Sequence, residues 1–369
     1  MNISNSTVDF SGLLGRKQID VLSTLYIVLL SLSVTGSCSV LLVSTVRWRH
    51  LRGQVHLLVQ LSLADLLAAI ILLYTGVINK VHPFNGVVCP YLLPLSLTFY
   101  FISFLLAVVY ALKSRNAIQG WRDRASDEED EHSQCRRKIK AIPLYAFVWL
   151  TPVAIYFAYV CTLLIKPATL IPTTSSSQYG LSDNGSSYCH SCILFLHVWK
   201  DPCVGVDETH DTFIRAFLAI AVITAMLSCS VIYWKIGKWH EKYMQVGLFP
   251  VEGDGHSRRQ FRRVFSTARN IVMVILFCWA PALLLLLMSP LIQRNVKQDS
   301  LYWLYLIQAA TVSLQGFLNS MVYAWRRPNF TDAVLGEFTP LLRYKHRPFF
   351  EESFQSLTKK NALTDVVML

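Results

Sequence analysis

The chain has 369 residues, 53% of them hydrophobic and only 15% charged, with a formal net charge of +11. So apolar a composition excludes an ordinary soluble domain and points to an integral membrane protein. The basic residues lie between apolar runs rather than in one patch, which assigns them to loops facing an anionic leaflet and not to nucleic acid.

In chain order, residues 1–18 form a short polar N-terminus with two glycosylation acceptors, at Asn2 and Asn5. The first apolar run, 19–46, is too long for a signal-peptide core and is expected as the first span, with no cleavable signal before it. The second span, 55–77, contains Leu61-Ser62-Leu63-Ala64-Asp65-Leu66-Leu67. Asp65 is an acid deep inside an apolar run, and a carboxylate there is costly unless solvated, paired or protonated, so it is a functional candidate. With Ser37, Ser103 and Asn319 as polar neighbours, it would suit a sodium ion or a relayed proton. The plainer alternative is an acid that simply bonds a neighbouring helix.

The third span, 89–112, begins at Cys89 and ends in Lys113-Ser114-Arg115. The loop after it, 113–140, carries an acidic patch from Asp127 to Glu131 that reads as solvated surface. The fourth span, 141–165, holds Trp149-Leu150-Thr151-Pro152. Residues 166–212 are rich in Ser and Thr and hold a third acceptor, Asn184, with Cys189, Cys192 and Cys203. A fifth span, 213–234, and a basic loop lead to the sixth, 269–290, which contains Cys278-Trp279-Ala280-Pro281. Pro281 removes a backbone hydrogen bond and bends the helix, and Trp279 sits beside the bend. A bent helix on a basic foot (Arg258, Arg259, Arg262, Arg263) reads as a lever; the alternative is a static packing kink. The seventh span, 301–325, contains Asn319-Ser320-Met321-Val322-Tyr323. In the tail, 326–369, Phe330, Val334 and Phe338 recur every fourth residue, as in a short amphipathic helix on the membrane surface.

Seven spans place the two ends on opposite sides. Lys and Arg number 26 in the first, third and fifth loops plus the tail, against 7 on the other side, with Arg215 at a span edge. Positive residues collect inside, so the N-terminus is expected outside and the tail in the cytoplasm. Cys89, Cys189, Cys192 and Cys203 then share the oxidising side, where disulfides persist and three connectivities are open. A zinc site from Cys189, His190, Cys192 and Cys203 is disfavoured there, and no metal or cofactor is expected. Cys38, Cys161, Cys229 and Cys278 lie within spans and are expected as buried thiols.

These motifs resemble those of the G-protein-coupled receptor superfamily. Residues 61–67 look like its second-helix signature, Cys278 to Pro281 resembles its sixth-helix Cys-Trp-x-Pro motif, and Asn319 to Tyr323 is similar to Asn-Pro-x-x-Tyr without the proline. Trp149-x-x-Pro152 and Gln315-Gly316-Phe317 resemble the secretin and cyclic-AMP receptor branches. Over the last third, including Thr339-Pro340-Leu341-Leu342, the chain resembles the transmembrane protein 116 family. Gly36-Ser37-Cys38 stands where such receptors carry Gly-Asn, and Lys113-Ser114-Arg115-Asn116 stands where they carry Asp-Arg-Tyr.

The resemblance implies an all-α seven-helix bundle that transmits a signal by outward motion of the sixth helix. Trp279, Pro281, Asn319, Tyr323 and Arg115 would form the switch, with an extracellular ligand and a heterotrimeric G protein as partners. A disulfide from Cys89 to the second outer loop is expected, with Cys189 or Cys192 favoured and Cys203 the third candidate. Glu337 with Leu341 and Leu342 fits the acidic dileucine pattern read by clathrin adaptors, and Val367-Met368-Leu369 could add a strand to a PDZ domain. Either would suit a plasma or endosomal membrane. The competing classes are a non-signalling scaffold or trafficking protein and a channel or transporter. Catalysis is not expected, because no nucleophile motif or phosphate loop stands in a confirming context.

Overall fold

Among the described residues, helices pack around a largely apolar core that encloses a small set of polar side chains, and large apolar side chains also cover much of their outer faces. A computed structural model describes residues 14–46, 55–81, 88–123, 132–165, 191–196, 255–291 and 298–322, with scattered positions between 219 and 238. The helices are α1 (Arg16–Val46), α2 (Val55–Val81), α3 (Cys89–Asp123), α4 (His132–Ile165), α5 (Gly255–Leu291), α6 (Tyr302–Ser313) and α7 (Gln315–Ser320). A 3-10 turn, Gln298–Leu301, leads into α6. Among the described residues there is no strand, and six stretches are long and apolar enough to cross a membrane. The expected fifth span is described only at scattered positions, all helical.

Several helices run past the apolar stretches that announced them. α3 continues to Asp123, while α4 and α5 begin at His132 and Gly255, well before 141 and 269. An apolar run marks what lipid covers, but the helix need not stop there. Arg, Lys and Gln, which recur in these extensions, are good helix formers in water. Arg115 lies on the extension of α3 beyond its apolar stretch.

Val28, Leu42, Phe147, Leu150, Phe277 and Trp303 are exposed, whereas Ser33, Asp65, Ser103, Gln308, Gln315 and Asn319 are buried. In lipid this is the stable arrangement. Acyl chains solvate leucine and phenylalanine, and polar groups find partners only inside the bundle. Cys278 is buried as expected, but Cys38 and Cys161 face outward. A thiol is apolar enough to meet acyl chains, so burial inside protein is not required of it.

Helix contacts run α1 to α2 to α3 to α5 to α6 and back to α1, closing a ring, with α4 against α3 outside it. At one end Lys80 of α2 lies 3.7 Å from Asp20 of α1, and the Gln18 amide donates to Asp299 just before α6. Cys89, the first residue of α3, is bonded to Cys192 at that same end. At the other, the His56 ring meets Tyr145 at 5.5 Å. The helices thus alternate in direction. Within α3, Pro94 has no N–H for the carbonyl of Pro90, and the Tyr159 hydroxyl of α4 donates to that carbonyl instead, at 3.1 Å.

The seventh span, expected as one helix over 301–325, is interrupted. Leu314 has φ −81° and ψ −7°, well off the helical ψ, and separates α6 from α7. Ser33 of α1 explains the break. Its hydroxyl donates to the Ser313 carbonyl at 2.6 Å and accepts from the Phe317 N–H at 3.0 Å. Those are the two ends of the backbone bond that a continuous helix would make, so the side chain is inserted into the ladder. Small residues allow this approach. A Cβ on Gly316 would lie 3.0 Å from Ser37 Oγ and 3.2 Å from Ser33 Oγ, and one on Gly36 would lie 3.3 Å from the Phe317 backbone. Ser33→Ala should therefore destabilise the protein by about 1–3 kcal/mol. Thermal unfolding in lipid nanodiscs checks this, and an unchanged midpoint would mean that the ladder closes by itself.

Candidate functional site

The polar core is built from five residues on four helices. α2 supplies Asp65, α3 supplies Ser103, α5 supplies Trp279, and α7, just past the Leu314 break, supplies Gln315 and, one turn on, Asn319. All five are buried, none more than 3% exposed. Ser103 Oγ donates to Asp65 Oδ1 at 2.7 Å, and Asn319 Nδ2 donates to Oδ2 at 2.7 Å. Gln315 Nε2 donates to Asp65 Oδ1 at 3.1 Å and lies 3.3 Å from Ser103 Oγ. Three donors therefore converge on two acceptor oxygens, which is what a buried carboxyl group needs.

Gln315 is the junction. Its Oε1 accepts from Trp279 Nε1 at 2.5 Å. The indole N–H only donates and the carboxylate oxygens accept, so a single amide orientation serves both neighbours. A continuous hydrogen-bonded path thus runs from α5 through α7 to α2 and α3. Trp279 is also enclosed by rings. Tyr100 and Phe104 meet it edge-on at 5.4 and 4.9 Å, and Phe195 does so at 6.5 Å. Pro281 lies two residues on in α5, which passes through it without interruption.

The structure places the sequence candidates unequally. Ser103 and Asn319 are brought to Asp65. Ser37 is not: it is fully buried against the Gly316 backbone, and its Oγ makes no hydrogen bond among the described residues. The α1–α7 contact takes up its position, because Gly316 lets the two backbones close over it. Gln315, which belongs to the Gln315-Gly316-Phe317 motif, takes Asp65's third bond. Its signal in the sequence is the spacing: an amide one helical turn before Asn319, on the same helix face.

Cys89 is bonded to Cys192, with Cα atoms 5.3 Å apart. This removes Cys192 from any thiolate set for zinc. Cys189 and Cys203 lie outside the described residues, as do Asn2, Asn5, Asn184, Tyr323, Glu337, Leu341 and Leu342. Mass spectrometry of non-reduced peptides should recover a Cys89–Cys192 linked pair, and a free Cys89 thiol in mature protein would contradict the bond.

The Cys192 N–H donates to Asn79 Oδ1 of α2 at 2.6 Å, fixing the loop just past the disulfide. Phe195 beyond it has φ +66°, a left-handed conformation that an aromatic residue adopts only when its surroundings hold it there.

The sequence model of the family described as Transmembrane protein 116 matches residues 19–349, from the first expected span to beyond the last. The chain belongs to the Transmembrane protein 116 family. It is a multi-pass membrane protein of that family, and its apolar helices take a lipid bilayer as their solvent. The match takes in every residue of the polar core, so the core lies within the family's own span of sequence.

Proposed function

We propose that this member of the Transmembrane protein 116 family is a seven-helix signalling protein of the G-protein-coupled receptor type, with its N-terminus outside. In this reading a ligand or constitutive activity favours a state in which the inner end of α5 swings outward. The observation that carries the proposal is the path from Trp279 through Gln315 to Asp65. It ties the helix that carries Pro281 to three others through buried hydrogen bonds, so a shift of the Trp279 ring changes partners elsewhere. Signalling then requires a different interaction energy in each state, not merely a flexible bend.

Arg262, Arg263 and Arg269 ride the inner end of α5, where their charge suits anionic lipid or an acidic helix of a heterotrimeric G protein. The tail would serve sorting through a clathrin adaptor or a PDZ protein, at the plasma or an endosomal membrane. The reading assigns no catalytic step and no resident cofactor. It is tested with spin labels at positions 115 and 263 in full-length protein in nanodiscs. Two distance populations are expected, with Trp279→Ala or added G protein changing their ratio. One population that none of these alters would leave a scaffold with the shape of a receptor.

A further inference from the structure

Ser191–Leu196 belongs to the stretch between α4 and the fifth span, yet all six of its residues are buried. Ile193, Leu194 and Leu196 are each 1% exposed. Loops normally run over the surface, since buried backbone polar groups forgo water. This one instead descends into the bundle, and α3 measures how far. Tyr100 and Phe104, which flank Trp279, lie 11 and 15 residues beyond Cys89. That is about 16 and 22 Å along a helix. Phe195, three residues past Cys192, meets the same Trp279 edge-on. Three residues of extended chain reach about 10 Å, so the ring is presented well below the disulfide.

The segment is held by specific bonds as well as by burial. The Cys89–Cys192 disulfide hangs it from α3, and Asn79 accepts the Cys192 N–H. A turn closes it, with the Leu196 N–H donating to the Ile193 carbonyl at 3.2 Å. The left-handed backbone of Phe195 lies inside that turn.

We propose that Ile193–Leu196 is a resident internal ligand: it fills the chamber above Trp279, fixes that ring, and is kept there by the Cys89–Cys192 tether. An external molecule that takes this segment's place against Trp279 displaces branched alkyl chains and a phenyl ring, so that molecule must be apolar. The occupancy and the tether stand independently of signalling. Only their consequence for α5 rests on the function proposed above.

The test uses full-length protein in lipid nanodiscs and follows hydrogen exchange of the peptide covering residues 191–196. The native protein should exchange there about a hundredfold more slowly than an unstructured peptide. Cys192→Ser, or reduction of the native disulfide, should raise that rate at least tenfold, with exchange in Leu61–Leu72 of α2 unchanged. Asn79→Ala, which keeps the disulfide, should raise it by a smaller factor. In protein carrying fluorotryptophan, Phe195→Ala should move the Trp279 resonance, assigned with Trp279→Phe. Unprotected exchange in the native protein would overturn the proposal. So would protection that survives loss of the disulfide together with a Trp279 resonance indifferent to Phe195→Ala. A moved resonance with an unaltered 115–263 distance supports the resident segment while counting against the lever, so the two readings fail separately.

Discussion

Asp65→Leu should destabilise the protein by about 3–5 kcal/mol, as removal of one member of a buried charged cluster does, whereas Asp65→Asn should lose only about 1 kcal/mol. Leucine leaves the Asn319 and Gln315 amides and the Ser103 hydroxyl without the oxygens to which they donate. No water-facing rotamer is open to them, because all three are almost fully buried. Asparagine keeps one carbonyl oxygen and offers an amide nitrogen in place of the other. Asn319 Oδ1 has no hydrogen-bond partner among the described residues, so turning the Asn319 amide over presents an acceptor to that new donor. Thermal or denaturant midpoints in nanodiscs separate the two variants. Equal losses would show that the site does not distinguish a carboxyl from an amide. If Asp65 also holds a sodium ion or relays a proton, as its place in the second span leads us to expect, Asp65→Asn alters ion or ligand sensitivity with little loss of surface expression. An unchanged response across sodium concentration and pH would leave Asp65 a purely structural role.

The second large effect is expected at Trp279. Trp279→Ala should cost about 3–5 kcal/mol, since it empties a site lined by three rings and leaves Gln315 Oε1 without its donor. Trp279→Phe keeps most of the packing and removes the N–H that Gln315 accepts. It should cost less, about 1–2 kcal/mol. Combining Trp279→Phe with Gln315→Leu tests the path itself. The bond is lost once, not twice, so the double variant should fall short of the sum by about 1 kcal/mol, in the range found for hydrogen bonds between membrane helices. Strict additivity would mean that the path joining α5 to α7 transmits nothing energetically.

Much of the polar core was legible because lipid makes polar residues conspicuous. Asp65, Ser103 and Asn319 stand out on apolar helices, and each needs an internal partner. Which partner was harder to read. Ser37 and Gln315 are equally buried, yet only Gln315 reaches the carboxyl group. The difference comes from α1 and α7 closing over Gly36 and Gly316, which commits Ser37 to the interface. The break at Leu314 was not visible, because nothing in Ser313-Leu314-Gln315 itself stops a helix. Its cause is Ser33, 280 positions away from Ser313 in the chain.

The loop divides the same way. Cys192-Ile193-Leu194-Phe195-Leu196 is an apolar run in a polar stretch, and its composition already asks for burial. Composition could not choose Cys192 over Cys189 or Cys203 as the partner of Cys89, since all three were expected on the same side. The route of the backbone past Asn79 made that choice. The sequence by itself determined that this chain is a bundle of membrane helices with an acid at its centre, because hydropathy along one helix is a local property. Which residues complete the acid's hydrogen bonds, where the seventh span opens and what sits above Trp279 were decided by tertiary packing. Each depends on an atom from a distant helix or loop arriving within about 3 Å of a group that no local rule links to it.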